Sequence, residues 1–394
     1  MWQAHDQATG EPMAVEQADT RRATNPLFND NRMKLGVFGA NVSNGCAITL
    51  AEGRLETSWP NTKRIATLAD RAGLEAMVPV ARWKGFGGPT NFNGACFETY
   101  TWAAGVAGVT EHTGVFSTSH VPTVHPIMAA KQGTTIDHIS NGRFALNVVC
   151  GWFQPELEMF GAPIMEHDTR YEYAAEWLEV VKRLWTAEDE FDYEGRFFRI
   201  QKGFHQPKPI QKPFPPIMNA GGSATGRRFA AKYADMAFVV LQRHDYDGVK
   251  AQVDALRNLA RDEFRREVQV WSSAYVVCRP TEQEATDYLN YYVRERGDWE
   301  AVETLTRVMG IQAETLPPEA MEAFKFHFIA GWGGYPLVGT PEQIVDKLAG
   351  LARAGMNGVV LSWVNYEAEL QQWIAEVLPL MEQAGLRQPF RPEA

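Results

Sequence analysis

The chain has 394 residues, 45% of them hydrophobic and 22% charged, which is enough for a large core in one big domain or two medium ones. A net charge of −10 and the lack of a strongly basic stretch argue against nucleic acid as the main partner. The four cysteines lie far apart without a CxxC motif, so we expect neither a metal site nor a disulfide framework, and a cytoplasmic location.

The N-terminal 31 residues are polar and are punctuated by proline and glycine. This composition predicts a flexible arm over residues 1–31, and the arm has no apolar core of the kind found in a signal peptide. No later run of about 18 apolar residues appears, so we expect no membrane-spanning helix. Residues 32–390 are predicted to form a single domain.

Strand-like and helix-like segments alternate from residue 33 to the C-terminus, and the helical segments show apolar residues at helical spacing. The eight predicted strands are Met33–Asn41, Leu74–Arg82, Thr113–Val121, Phe144–Cys150, Pro216–Gly221, Asp235–Leu241, Val268–Cys278 and Gly358–Val364.

Eight strand-plus-helix units predict an α/β fold of the (β/α)₈ barrel type, because strands that alternate with helices form a parallel sheet. A doubly wound sheet is the alternative, but it seldom needs eight units. Two longer segments, about 187–215 and 296–335, are predicted insertions after the fourth and seventh strands. In such barrels the active site lies at the C-terminal ends of the strands.

Polar residues cluster at those strand ends. Asn147 interrupts the apolar run of the fourth strand, and Trp152 and Glu156 follow it. Gly221, Gly222 and Ser223 open a helix after the fifth strand, a pattern that suits an anion but that a tight turn explains equally well. Arg170 and Tyr171, at the start of the fourth helix, could hold a second side of a phosphate.

Several short motifs occur in a characteristic order over most of the chain. They are "TSW" (Thr57–Trp59), "KGFGG" (Lys84–Gly88), "AAKQ" (Ala129–Gln132), "N-V-GW---E" (Asn147–Glu156), "EHD-RY" (Glu166–Tyr171) and "GTPEQIVDKLAGLARAGMNGVVLSW" (Gly339–Trp363). In these motifs the chain resembles the luciferase-like flavin monooxygenases, and within them the branch of pyrimidine and dimethylsulfone monooxygenases.

The resemblance implies a two-component enzyme that receives reduced FMN from a separate NAD(P)H:flavin reductase and uses O₂. It would oxidatively cleave a C–N or C–S bond of a small substrate, either an N-heterocycle such as a pyrimidine or flavin-type ring, or a sulfone or sulfonate. A homodimer or homotetramer is expected by analogy. By this resemblance Ala81 and Arg82 would touch the flavin ring, and Asn147 and Glu156 would hydrogen-bond the isoalloxazine and ribityl region. The implied phosphate contacts are Arg170, Tyr171 and Ser223, with Gly222 beside them.

The candidate catalytic residues are His120, Asn147 and Trp152. His120 stands where both relatives carry uncharged residues, and it is either an acid/base or substrate partner or a wall histidine. Trp152 either stacks on a flat ring or packs in the core. The relatives differ at Arg82: the pyrimidine enzyme has lysine there, which argues against a pyrimidine substrate.

Two alternatives remain open: hydride transfer with deazaflavin F420, and flavin binding without turnover. After the first strand, "GVFGAN" does not match the GxGxxG dinucleotide fingerprint, so tight binding of NAD(P)H is not expected.

Overall fold

A computed structural model of the chain describes residues 19–162, 164–310 and 317–391. Within these ranges the strands, numbered in chain order, are β1 Lys34–Phe38, β2 Ala76–Val78, β3 Gly114–His120, β4 Phe144–Val149, β5 Phe191–Glu194, β6 Arg199–Gly203, β7 Ile217–Asn219, β8 Met236–Phe238, β9 Gln269–Cys278, β10 Tyr335–Gly339 and β11 Gly358–Ser362.

The α-helices of the described residues are α1 Arg21–Thr24, α2 Trp59–Arg71, α3 Thr99–Ala107, α4 Pro126–Ile139, α5 Gln154–Met159, α6 His167–Thr186, α7 Ala224–Tyr233, α8 Tyr246–Phe264, α9 Glu282–Asn290, α10 Trp299–Val308, α11 Pro318–Gly331, α12 Pro341–Arg353, α13 Tyr366–Gln372 and α14 Leu378–Gln383. Over the same ranges, no helix combines the length and the apolarity needed to cross a bilayer.

Eight parallel strands close into a barrel. They run in the order β11-β1-β2-β3-β4-β7-β8-β9, and β9 pairs with β11 to complete the ring. The tenth strand lies outside the ring, because β9 extends beyond the barrel and its last residues pair with β10, from Ala274↔Tyr335 to Cys278↔Gly339. The predicted (β/α)₈ barrel is therefore confirmed.

In the fourth barrel strand, β4, successive residues pack alternately outside and inside the barrel. Phe144, Leu146 and Val148 pack in the core between the barrel and its helices, whereas Ala145 lies in the cluster inside the barrel. Since successive strand residues point to opposite faces, Asn147 shares the inner face with Ala145. A strand that is buried on both faces has a continuous run of apolar residues in its sequence. The Asn147 amide interrupts this run where the inner face of β4 reaches the barrel mouth.

Residues 19–31 differ from the prediction of a flexible arm. They form α1 and a short 3₁₀ helix, Pro26–Phe28, in which the Asn25 side chain accepts a hydrogen bond from the backbone N–H of Leu27. Leu27 is fully buried against Trp271 and Phe116 inside the barrel, so this segment covers the end opposite the C-terminal mouth. The rest of the predicted arm, residues 1–18, lies outside the described residues.

Two segments depart from the regular βα alternation. Between α6 and β7, the strands β5 and β6 pair as an antiparallel two-stranded sheet. Between β9 and β11 the chain adds α10, α11 and β10. The helix α11 ends at Gly331, where an added Cβ would lie 2.4 Å from the Cβ of Tyr275, so its last turn lies directly on the C-terminal part of β9.

Candidate active site

A buried ion pair joins the second and fourth strand ends. Arg82 follows β2, and Glu156 lies in the first turn of α5, which begins after the chain breaks from β4 at Gly151 with φ of +83°. The Nη1 of Arg82 lies 3.3 Å from Oε2 of Glu156, and both side chains are almost wholly buried. The other carboxylate oxygen accepts the backbone N–H groups of Trp83 at 2.5 Å and Lys84 at 3.2 Å.

His120, at the end of β3, lies on the same carboxylate, with its Nδ1 3.5 Å from Oε2 of Glu156. Burial alone would raise the pKa of Glu156, but the His120 ring, the Arg82 guanidinium and the backbone N–H of Trp83 outweigh it and hold the pKa below its ordinary value. Glu156 is therefore ionised at neutral pH. Both of its oxygens have protein partners, so Glu156 connects Arg82, His120 and the loop after β2.

Aromatic rings surround the Arg82 guanidinium. Its central carbon lies 5.0 Å from the ring centre of Phe86 and 5.2 Å from those of Trp152 and Phe153. Trp152 is half-buried and lies nearly parallel to Phe86, with 15° between the ring planes. We call Phe86, Trp152, Phe153 and Trp332 the aromatic wall. Its members exclude water from one side of Arg82, which strengthens the ion pair with Glu156.

The side-chain amide of Asn147 has one atom with a hydrogen-bond partner and one without a partner among the described residues. Its Nδ2 donates to Oγ1 of Thr118 at 3.1 Å, and that hydroxyl donates in turn to the carbonyl of Pro79 at 2.7 Å. Because the Thr118 hydroxyl gives its hydrogen to Pro79, the amide must turn Nδ2 toward Thr118, and Oδ1 points away from it. The Oδ1 atom is buried and has no partner among the described residues, a state that costs about 1–3 kcal/mol. A bound N–H donor would remove this cost.

A cavity of about 210 Å³ opens beside the end of β4. Its walls come from the ends of β4 and β7 and from the start of α6: Val148, Val149, Cys150, Gly151, Trp152, His167, Arg170, Tyr171, Asn219, Ala220 and Gly221. Arg170 donates from Nη1 to the Gly151 carbonyl at 2.8 Å, and its buried Nε has no partner among the described residues. The cavity thus has a fixed cation on one side.

The glycines after β7 have different roles. A Cβ on Gly221 would meet Cα of Gly226 at 2.6 Å, so Gly221 is needed for the tight turn. Gly222 is exposed, and a Cβ there would meet nothing within 4 Å. Ser223 accepts the backbone N–H of Gly226 at 3.0 Å and caps α7, a helix of ten residues. The turn interpretation therefore holds for Gly221, whereas Gly222 and Ser223 leave the helix N-terminus open to an anion.

The structure brings the residues suggested by the sequence into two neighbouring groups. One group, at the ends of β2, β3 and β4, contains Ala81, Arg82, His120, Asn147, Trp152 and Glu156. The other group, around the cavity and the start of α7, contains Arg170, Tyr171, Gly222 and Ser223.

Two residues that sequence reasoning did not single out complete this site. Thr118 orients the Asn147 amide, and Asn219 holds the turn after β7 by donating to the Val148 carbonyl at 2.8 Å and accepting the Gly221 N–H at 3.0 Å. Thr118 could have been found from its inner-face position between Phe116 and His120 in β3. Asn219 lies in the predicted fifth strand, two residues before Gly221, where an amide in an apolar run could have indicated it as Asn147 was indicated.

Comparison with known proteins assigns the class. The family model of the luciferase-like monooxygenases matches residues 33–358, and the chain belongs to this family. It is 31% identical over 358 residues to the FMNH₂-dependent dimethylsulfone monooxygenase of Pseudomonas putida, covering 89% of this chain and 96% of that protein. It is 29% identical over 357 residues to the pyrimidine monooxygenase RutA of Acinetobacter baylyi, covering 89% and 95%.

Among solved structures, a crystal structure of riboflavin lyase (RcaE) with modified FMN and the substrate riboflavin shares the fold. The TM-score is 0.79 at 21% identity, over 91% of this chain and 93% of that one. The family model and the two relatives confirm the predicted family and the predicted monooxygenase class.

Proposed function

We propose that the chain is the oxygenase component of a two-component system. It would take reduced FMN from a separate flavin reductase and use O₂ to cleave a C–N or C–S bond of a small substrate. Membership of the luciferase-like monooxygenase family and the names of its relatives support this proposal. When bound, reduced FMN would supply the electrons that activate O₂. The observation that carries the proposal is the buried Oδ1 of Asn147 at the barrel mouth, which has no hydrogen-bond partner in the described part of the chain.

The donor set at the mouth fits a flavin ring. An isoalloxazine presents a ring N–H at its polar edge, and Oδ1 of Asn147 has no such donor within the described ranges. Ala81 is nearly buried and precedes Arg82, so this stretch can lie against a flat ring without a bulky side chain between them. Glu156 would act through Arg82 and would not itself contact the ring, since its oxygens already have partners.

The second group of residues fits the phosphate end. Ser223 and Gly222 lie at the N-terminus of α7, where backbone N–H groups favour an anion. Arg170 lines the cavity together with Tyr171, and its Nε–H, which has no acceptor among the residues that the structure describes, can donate to a phosphate. The cavity beside the end of β4 would receive the phosphate end of the cofactor.

The chain's own contribution to the reaction is binding, orientation and exclusion of water. The aromatic wall shields the Arg82 side of the mouth, and Trp152 offers a ring face next to the cavity. His120 turns Nδ1 toward the ionised Glu156, which favours the tautomer with hydrogen on Nδ1 and leaves Nε2 to accept a proton. This tautomer would let His120 act as a substrate hydrogen-bond partner or base, the role for which we propose it.

Two substrate classes are compatible with these features. An uncharged N-heterocycle or flavin-type ring would stack on the aromatic wall, and a sulfone would fill a smaller part of the same space. Arg82 favours the sulfone class over a pyrimidine, because the pyrimidine enzyme has lysine at this position. We further propose assembly as a homodimer or homotetramer, in line with the family.

Turnover in the presence and absence of O₂ tests the proposed function. The purified chain is incubated with FMN, NADH, a generic flavin reductase and a panel of sulfones, sulfonates, pyrimidines and flavins. Product should form only when both O₂ and the reductase are present. Product formation under anaerobic conditions would instead show hydride transfer. Oxygen uptake no greater than the reductase blank, with no product, would show a flavin-binding protein without turnover.

A further inference from the structure

Three polar aromatic side chains that the proposed flavin site does not use meet at the mouth. The hydroxyl of Tyr275, in β9, lies 3.0 Å from Nδ1 of His327, in α11. The ring of His244, in the connection from β8 to α8, meets the His327 ring edge-on, with centroids 5.0 Å apart and 82° between the planes. We call these residues the Tyr-His-His cluster.

The cluster faces the same end of the barrel as Arg82. Tyr275 lies four residues beyond Trp271 on the inner face of β9, and its ring packs in the cluster that also contains Phe86 and Phe153. Trp332, directly after α11, lies 5.7 Å from Phe86. The aromatic wall therefore runs from Arg82 to α11, and the Tyr-His-His cluster closes its far end.

The hydrogen-bond directions within the cluster follow from burial. Tyr275 is buried, burial raises the pKa of its hydroxyl, and that hydroxyl has no acceptor among the described residues other than His327. Tyr275 therefore donates to Nδ1, which places the ring hydrogen of neutral His327 on Nε2. Burial, with a smaller effect of His244, lowers the pKa of His327 to about 4, so the ring is neutral at neutral pH.

We propose that His327 is a substrate-orienting residue whose Nε2–H donates to an uncharged oxygen of the substrate, a sulfonyl or ring-carbonyl oxygen. The ring is half-buried, and its Nε2 has no partner within the described part of the chain. A neutral donor suits a neutral acceptor, whereas a sulfonate would need a cation, and Arg82 is already neutralised by Glu156. Tyr275 is a positioning residue. The inference rests on the proposed function and narrows its substrate class to uncharged molecules.

The test is ligand binding observed at the histidine itself. The chain has nine histidines, so selective ¹³Cε1 labelling gives few resonances, and that of His327 is assigned by its loss in H327Q. Protein with oxidised FMN is titrated with dimethyl sulfone, uracil and methanesulfonate. We expect the His327 resonance to shift with dimethyl sulfone or uracil and not with methanesulfonate. H327Q should weaken binding of the same probe at least tenfold, and Y275F should move the His327 resonance before any ligand is added.

His138→Gln, on α4, is the matched control, because His138 is bonded to the Lys208 carbonyl away from the mouth and should bind the probes as wild type does. No shift with either neutral probe, a larger response to methanesulfonate, or wild-type binding by H327Q would overturn the proposal. The shift is read in wild-type protein, so it does not depend on how well a variant folds. Neither O₂ nor reduced flavin takes part, so this result is independent of the oxygenation test.

Discussion

Arg82 and Glu156 form a buried ion pair, with 3.3 Å between Nη1 and Oε2, although 74 residues separate them in the chain. The pair ties the loop after β2 to α5, and with His120 it sets three polar groups on one side of the barrel mouth. A buried pair of this kind adds little net stability when both partners are present, but the removal of one partner is costly. Its retention here is best explained by the orientation it gives to Arg82 and His120.

Glu156→Gln should destabilise the fold by about 3–5 kcal/mol, because it leaves the Arg82 cation buried without its counter-charge. Urea unfolding followed by tryptophan fluorescence measures this difference. The double variant R82M/E156Q should recover much of the loss, since methionine fills the aromatic pocket without a charge. If the unfolding free energy lost in R82M/E156Q equalled the sum of the losses in R82M and in E156Q, the two residues would not be energetically coupled.

Asn147→Ala should weaken FMN binding about tenfold to a hundredfold, which corresponds to the loss of a hydrogen bond worth about 1–3 kcal/mol in a desolvated site. Fluorescence titration of FMN gives the dissociation constants. Asn258→Ala, an exposed substitution on α8, serves as the control and should bind FMN as wild type does. Unchanged affinity in N147A would remove Asn147 from the flavin site.

Ser223→Asp should impair binding of FMN far more than binding of riboflavin. Aspartate caps helices as well as serine does, so α7 should keep its N-cap while a negative charge is set against the phosphate. Titrations of wild type and S223D with FMN and with riboflavin give the loss of affinity for each flavin. An equal loss for both would place the phosphate elsewhere.

Stability should fall as the pH falls from 6.5 toward 4. Burial, followed by the charges of Lys131 and Lys208, lowers the pKa of His205 to about 4. In this window the unfolded chain takes up a proton at His205 and the folded chain does not, so the free energy of unfolding decreases with decreasing pH. His205→Gln should make the dependence shallower, as measured by urea unfolding at several pH values. If the unfolding free energy of H205Q depended on pH as steeply as that of wild type, His205 would have the same pKa in the folded and unfolded chain.

The barrel could be predicted from the sequence because its strands are buried on both faces and leave long apolar runs between helical patterns. The strand β10 was not predicted. Tyr335–Gly339 is short and contains a proline, and it pairs with Ala274–Cys278 in the C-terminal half of β9. Such pairing depends on tertiary geometry that local patterning does not encode. The packing of residues 19–31 was not predicted for the same reason, since this polar segment is held by one buried leucine and by hydrogen bonds to distant strands.

The site residues were accessible to sequence reasoning where a residue type was unusual for its place, as Asn147 is in an apolar strand. Their partners were not. The role of Glu156 depends on backbone N–H groups more than 70 positions away, and the contact of Tyr275 with His327 spans 52 positions without any motif. Distances of this kind are set by the closure of the barrel and by the placement of α11.

We propose that a flavin ring lies across the barrel mouth, held by Asn147 at its edge and by Ser223 and Arg170 at its phosphate. A crystal structure of the chain soaked with FMN tests it most directly. We expect a ring N–H within hydrogen-bond distance of Oδ1 of Asn147 and the phosphate at the N-terminus of α7. A mouth that stays empty at saturating FMN, or a flavin bound elsewhere on the protein, would contradict it.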